Sequence, residues 1–290
     1  MPNYKTNKMK NILVATDFSN NAYCALFYAT QVLKSIKCNF YLVNVYNDLT
    51  PLIGGKSEFL VGQKLLNELA ATSKEKITAL KHRITLDNEN PLHKFETISK
   101  KGNLIKTIHQ MLNAFEIDLV VMGSKGYTGA KEIFFGSNTI QLANTITQCP
   151  VLTIPKELDF VAPTDIAFVT DYKKGCTKKT TAPLLFIAEL FNAKIRVMHI
   201  NEEEELSKEQ ESHREMLELC LKNTEHSSHW VQAFADKAMV IDDFLNNKGV
   251  DMFAMVHYKH TFFDRVLREP VVKNVSMYSN IPFLILPFKG

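Results

Sequence analysis

No run of this chain reaches the roughly 18 consecutive apolar residues that a membrane-spanning helix needs. The opening residues, MPNYKTNKMKNILVATDFS, carry no apolar leader core. Its five cysteines (Cys24, Cys38, Cys149, Cys176, Cys220) stand far apart and form no CxxC pair. That argues against a zinc site or a disulfide framework and fits a reducing compartment. A basic stripe is missing too. Lys and Arg total 34 against 31 Asp and Glu, a net charge of +3, with the lysines scattered, so no nucleic-acid partner is expected. There is no GxGxxG. LIGGKSEF (52–59) approaches a Walker A loop but has Thr50 where the first glycine belongs. With 46% apolar and 22% charged residues, a folded core is expected and disorder is not. The expectation is a cytoplasmic protein with no membrane or nucleic-acid partner.

What the chain does contain is a repeat of itself. NILVATDFS (11–19) returns as DIAFVTDYK (165–173), each a β-branched run ending in Thr-Asp-aromatic. Each run precedes a helical pattern. Ala22, Ala25, Leu26, Ala29, Val32, Leu33 and Ile36 mark the first, and Leu184, Ile187, Ala188 and Phe191 the second, with Pro183 placed in its first turn. A second strand follows at 38–46 and at 193–200, then helices over about 59–83 and 204–222. Third strands (93–99 and 229–235), helices (about 103–114 and 238–248) and fourth strands (117–123 and 250–256) come next. Last helices are expected over about 137–147 and 269–278, before the closing strands CPVLTIP (149–155) and IPFLILP (281–287). Alternating strands and helices imply parallel sheets covered on both faces. The charged, proline-containing KELDFVAPT (156–164) reads as the linker. The chain therefore divides into residues 1–156 and 157–290, two α/β domains of one fold.

In open parallel sheets ligands lie at the carboxyl ends of strands, at the topological switch point. Two loops of the first half meet that condition. One carries Asp17. The other is GSKGYTGAKEIFFGSN, which spaces Gly123, Gly126 and Gly136-Ser137 ahead of a helix. Gly123 allows a sharp turn off the strand, and Gly126 allows a close backbone approach. At Gly136-Ser137 the free N–H groups and the helix dipole favour an anion. Lys125 adds charge. A glycine turn followed by a serine N-cap satisfies the same residues, so on physics alone both readings stand. Asp17 also reads either as a ligand group or as a helix N-cap.

Taken together, these residues resemble the universal stress protein (UspA) family, whose nucleotide signature G-x-x-G, nine residues, G-[S/T] is present as Gly123, Gly126, Gly136 and Ser137. Asp17, the Asn44-Val45-Tyr46 triplet and QCPVLTIP also match family positions, and the likeness covers nearly the whole chain as a tandem pair. The resemblance implies two tandem open parallel five-stranded sheets of order 3-2-1-4-5 with helices on both faces, Rossmann-like and similar to the adenine nucleotide alpha hydrolases. It implies ATP, AMP or ADP as ligand, with Mg2+ arriving on the nucleotide. Ala15, Thr16 and Asp17 would meet the nucleoside, Val45 the adenine, and Met122, Gly123, Ser124, Gly126, Gly136, Ser137 and Asn138 the ribose and phosphates. In the family dimers form through the last strands, so VLTIP and FLILP are expected to pair as an intramolecular pseudo-dimer, with a homodimer of chains also open.

The second half departs from the signature. His257 and His260 replace the first two glycines, and Glu269-Pro270 or Pro270-Val271 the third pair. Proline lacks an N–H and glutamate repels phosphate, so no ATP is expected there. Other features have plainer readings. His226-x-x-His229 and His257-x-x-His260 lack the further ligands of a metal site. Glu202–Glu205 opens a helix. Trp230 belongs to the core, and Cys24 and Cys38 are buried thiols. No catalytic residue is expected. The leading reading is a nucleotide-binding sensor or regulator of stress response. An enzyme of a related fold would need HIGH-like or SGGxDS-like motifs, which are missing, so slow ATP hydrolysis is the most expected of it. A nucleotide-free interaction scaffold is the third reading.

Overall fold

The computed structural model describes residues 9–47, 56–124, 137–155, 158–201, 205–232, 237–258 and 281–288. The first half runs β1 (Lys10–Ala15), α1 (Asn20–Val32), β2 (Cys38–Tyr46), α2 (Lys56–Asn88), β3 (His93–Lys101), α3 (Leu104–Ala114), β4 (Leu119–Gly123), α4 (Ser137–Thr145) and β5 (Val151–Ile154). The second half repeats it as β6 (Asp165–Thr170), α5 (Lys178–Phe191), β7 (Lys194–Asn201), α6 (Lys208–Leu221), β8 (His226–Gln232), α7 (Lys237–Lys248), β9 (Met252–His257) and β10 (Phe283–Pro287). The helix expected over 269–278 lies outside the described residues.

All ten strands join one sheet of order β3-β2-β1-β4-β5-β10-β9-β6-β7-β8. Each half has the order 3-2-1-4-5 with parallel neighbours, so β1 and β4 pair in parallel as do β6 and β9. The halves meet at an antiparallel pair, with Leu152 of β5 opposite Leu284 of β10 and Thr153 opposite Phe283. The expected pairing of VLTIP with FLILP is therefore present, and it removes two sheet edges. The rings of Phe253 and Phe283 stack at 4.1 Å beside it.

Strand alternation feeds two apolar layers. Leu13, Ala15, Val120 and Met122 pack with α3, α4 and α7, while Ile12, Val14, Leu119 and Val121 pack with α1, α2, α5 and α6. Both layers run unbroken across the two halves.

Several sequence expectations change. Pro183 stands in the second turn of α5, not the first, because Thr177 caps that helix and sets its start. Its ring removes the N–H that the Lys179 carbonyl would accept, which is tolerable at a half-buried surface position. Glu202–Glu205 does not open α6. Ser207 and Gln210 form a capping box that starts the helix at Lys208, and Glu209 and Glu211 occupy its first turn. Trp230 is not core but 51% exposed, since it lies on the edge strand β8. Cys38 is buried as expected, and burial, reinforced by Asp118, pushes its thiol up to about 12, while Cys24 is only half-buried.

Candidate functional site

The sheet order reverses between β1 and β4, and the ends of these strands bring together most of the residues singled out in the first half. β1 delivers Ala15, Thr16 and Asp17. Thr16 N–H donates to the Val43 carbonyl at 2.9 Å, one residue past the last β1–β2 pair, Ala15 with Val43. The chain then turns through Phe18 at φ 64°, a left-handed conformation. Phe18 N–H donates to Thr16 Oγ1 (3.0 Å), and Ser19 donates to Asp17 Oδ1 from its N–H (3.0 Å) and its hydroxyl (2.6 Å). Ser19 in turn accepts from Ala22 N–H at 3.2 Å. Asp17 is therefore not the N-cap of α1. Ser19 is, and Asp17 holds Ser19 in place while its carboxylate stays at the exposed strand end.

Beneath this turn lies a polar chain that composition alone does not reveal. Asn44 donates from Nδ2 to the Thr16 carbonyl at 2.7 Å. Its Oδ1 accepts from the Ser73 hydroxyl at 2.7 Å, and Ser73 and Ser99 hydroxyls lie 2.6 Å apart. Asn44 and Ser73 are buried at 8% and 3% exposure, so each needs those partners. A serine on the stripe of α2 that continues with Ile77, Leu80 and Ile84 was the available signal for Ser73. Val45, beside Asn44, is half-buried.

At β4, Met122 is buried and Gly123 ends the strand opposite Ile154. Ser124 N–H continues the ladder to the Ile154 carbonyl at 2.8 Å, and Ser124 is buried. α4 begins at Ser137, and its Thr139 hydroxyl lies 3.3 Å from the Gly123 carbonyl and 3.4 Å from that of Ser124. Thr139 was missed in the sequence, yet it latches the first turn of α4 onto the end of β4. The helix N-terminus is thereby set beside the switch point. Asn138 is exposed there. Lys125, Gly126 and Gly136 lie outside the described residues, as does the side chain of Ser137.

The second half repeats the turn and alters its surroundings. Tyr172 has φ 53°, its N–H donates to Thr170 Oγ1 at 3.1 Å, and Lys173 N–H donates to Asp171 Oδ1 at 3.0 Å. His199 takes the place of Asn44, its Nδ1 lying 3.3 Å from the Thr170 carbonyl. Where the first half has hydroxyls, this half has rings: Tyr172 stacks on His199 at 4.6 Å, and His199 meets Trp230 edge-on at 4.9 Å. Trp230 pairs with His199 in the sheet as Ser99 pairs with Asn44.

Four residues, Lys173–Cys176, are also inserted before the cap of α5. They are held down by Tyr258, whose hydroxyl donates to the Gly175 carbonyl at 3.2 Å. Gln210 Nε2 donates to the Asp171 carbonyl (3.0 Å), and His213 Nδ1 donates to that of Tyr172 (2.8 Å). A Cβ on Gly175 would lie 2.8 Å from the His213 ring, so the insertion is pressed against α6. Burial pushes the Tyr258 and Tyr172 phenols well up and the Cys176 thiol to about 11, so all three stay neutral at ordinary pH.

The first histidine pair does not converge. His226 and His229 both lie in β8, at a spacing that sends them to opposite faces. His226 meets Glu218 of α6 at 2.7 Å, while His229 packs edge-on to Phe244 of α7. His257 is buried at the end of β9, and His260 lies outside the described residues.

The sequence pattern of the Universal stress protein family matches residues 8–155. A universal stress protein of Methanocaldococcus jannaschii is 29% identical over 150 residues, which cover 52% of this chain and 84% of that protein. Among solved structures, a universal stress protein from Archaeoglobus fulgidus superposes with a TM-score of 0.62 at 16% identity, covering 95% of each chain. A functionally unknown protein from Pseudomonas aeruginosa does so at 0.55 and 15%, covering 97% of this chain and 93% of its own. At these identities the two structures speak for the tandem fold alone.

Proposed function

Since the chain belongs to the universal stress protein family, we propose that its first half binds one adenine nucleotide, ATP or AMP, and that the protein acts as a sensor or regulator in stress response. The observation that carries this reading is the placing of the α4 N-terminus by Thr139 beside Gly123, at the point where the strand order reverses. An anion is stabilised at such an end by free N–H groups and the helix dipole. The nucleoside would lie over Ala15, Thr16 and Asp17 with Val45 at the adenine edge. The phosphates would lie along Gly123, Ser124, Gly126, Gly136, Ser137 and Asn138, with Mg2+ carried on them. Asp17 offers an exposed carboxylate to hydroxyl or amine donors.

The second half contributes fold rather than a second site. Its strand end is packed with the Tyr172–His199–Trp230 rings and covered by the insertion that Gln210 and His213 hold. One nucleotide per chain follows.

The test is to denature the purified full-length protein and chromatograph the released small molecules, then titrate labelled ATP into nucleotide-stripped protein. Saturation at one equivalent supports the reading. Two equivalents would refute the asymmetry between the halves, and no saturable binding would leave the scaffold reading in its place. Phosphate release at background rates is expected throughout, with no turnover typical of an enzyme.

A further inference from the structure

A cavity of about 380 Å³ lies at the opposite end of the strands from the nucleotide region, between the two halves. Its walls come from β1, α1 and β4 of the first half and from α5 and Leu284 of β10 in the second. They are mostly apolar, Leu33, Ile117, Phe186 and Ile187 among them, while Lys10, Asp118 and Lys179 supply the charge. The volume falls in the range of roughly 300–1,000 Å³ usual for small-molecule sites, and the mix of apolar wall and few polar groups is also usual there.

The internal two-fold shows what such a space accepts. Asp118 accepts from Asn11 N–H at 2.9 Å, and its own N–H donates to the Asn11 carbonyl at 2.8 Å. Asp251 repeats this with Asp165, at 3.1 and 3.0 Å. Phe186 on α5 faces Lys10, whose Nζ lies 6.0 Å from the ring centre. Tyr28 stands at the same place on α1, counted from the caps Ser19 and Thr177, and its phenol feels the charge of Asp251. In that second location the linker fills the space. The Phe160 ring packs edge-on to Tyr28 at 5.1 Å and lies 6.2 Å from Phe191, and the Tyr28 hydroxyl is 3.4 Å from the Val161 carbonyl. One of two equivalent positions is therefore occupied by a phenyl ring of the chain itself, and the other, among the described residues, is a cavity.

We propose that this cavity is a ligand site for a small aryl carboxylic acid, whose ring takes the place Phe160 takes opposite and whose carboxylate meets Lys10 and Lys179. The charge at the wall selects the acid. Lys10 is paired with Asp118 at 2.9 Å, but an ammonium has three donors, and Lys179 adds a second positive charge, so the local balance is positive. An amine of the same size would meet that excess unfavourably. The cavity joins both halves, so a ligand in it would bear on the junction that holds the pseudo-dimer together. This site is independent of the nucleotide reading.

The probe is 3-phenylpropionate, with 3-phenylpropanol as its neutral counterpart, titrated calorimetrically into the full chain with and without saturating ATP. Expected is saturable binding at one equivalent, unchanged by ATP, with the acid bound at least about tenfold tighter than the alcohol. A182W, which places a large side chain at the cavity wall, should abolish binding while leaving the circular dichroism spectrum and ATP binding intact. K10M should remove the preference for the acid and keep the binding of the alcohol. No saturation by about 10 mM probe, where affinities weaker than millimolar lie, overturns the proposal. So does binding that A182W leaves unchanged, or a K10M protein that still prefers the acid.

Discussion

Asn44 and His199 make the same hydrogen bond in the two halves, each reaching the carbonyl of the threonine that ends the first strand, at 2.7 Å to Thr16 and 3.3 Å to Thr170. The scaffold contact persists while the chemistry around it diverges. Asn44 continues through Ser73 to Ser99, a chain of small polar groups, whereas His199 continues into Tyr172 and Trp230. One strand end keeps a polar floor and the other is packed with rings.

Asn44→Ala should therefore destabilise the first half by about 1–3 kcal/mol, because the buried Thr16 carbonyl loses its side-chain donor and the Ser73 hydroxyl is left with Ser99 alone. Denaturant unfolding measures it as a lower midpoint at unchanged slope. The nucleotide affinity of the variant should fall as well, since the floor that holds Thr16 and Asp17 is loosened. An unchanged midpoint would show that water replaces the side chain at no cost.

Asp17→Asn keeps an acceptor for the Ser19 N–H and hydroxyl, so α1 should still be capped and stability should shift little. Loss of the carboxylate charge should weaken ATP binding by about tenfold or more, the scale of one charge-assisted hydrogen bond. Asp171→Asn makes the same change in the second half and should leave both affinity and stoichiometry alone. Labelled ATP titrations of the two variants side by side separate these outcomes.

How much of this was readable beforehand follows from which residues act locally. The duplication follows from apolar strand patterns and the matching Thr-Asp-aromatic endings, which are local signals, whereas the strand order and the β5–β10 pairing follow from the family resemblance. Ser73, Ser99 and Thr139 were not readable in the same way. Each acts through a partner far away in sequence, and of the three only Ser73, on the apolar stripe of α2, has a periodic signature. The start of α6 was misjudged because an acidic run imitates a first turn, while the capping box of Ser207 and Gln210 decides where the helix begins. Trp230 looked like core because strand alternation says nothing about which strand forms the edge.

The His226–Glu218 pair predicts a pH dependence. Burial alone would lower the imidazolium of His226, but the Thr224 carbonyl and Glu218 outweigh it and raise the pKa above 6.5. Burial alone would raise Glu218, but hydrogen bonds from His226 and Ser228 outweigh it and hold the carboxyl below 4.5. The histidine contribution is full below the unfolded value of 6.5 and fades as the pH rises through the higher folded value. The glutamate contribution is present above 4.5 and fades as the pH falls through the lower folded value. Both groups are only partly buried, so solvent screening holds the pair to less than about 1 kcal/mol. Glu218→Gln should lower the midpoint between 4.5 and 6.5 and flatten the stability profile below 4.5 and above 6.5, where the pair's contribution fades. Midpoints of guanidinium unfolding across the pH range measure this, and an equally sloped profile in the variant would dismiss the pair as its source.

Phe160 belongs to the linker but behaves as part of the junction, with its ring against Tyr28 of the first half and Phe191 of the second. Removing it opens a space equivalent to the one already present beside Phe186. Fully buried phenylalanines cost roughly 3–5 kcal/mol on truncation to alanine, and this half-buried ring should cost about 2. The loss should fall on the packing of the linker against α1 and α5 rather than on the ten-stranded sheet, since β5 and β10 keep their pairing. In Phe160→Ala, limited proteolysis should accordingly find the linker cut sooner, while each half stays intact once released. Phe160→Leu, which keeps most of the apolar contact, should recover the larger part of both the unfolding midpoint and the protease resistance. Equal sensitivity in the leucine and alanine variants would mean that the ring itself, through its edge contact with Tyr28, holds the linker.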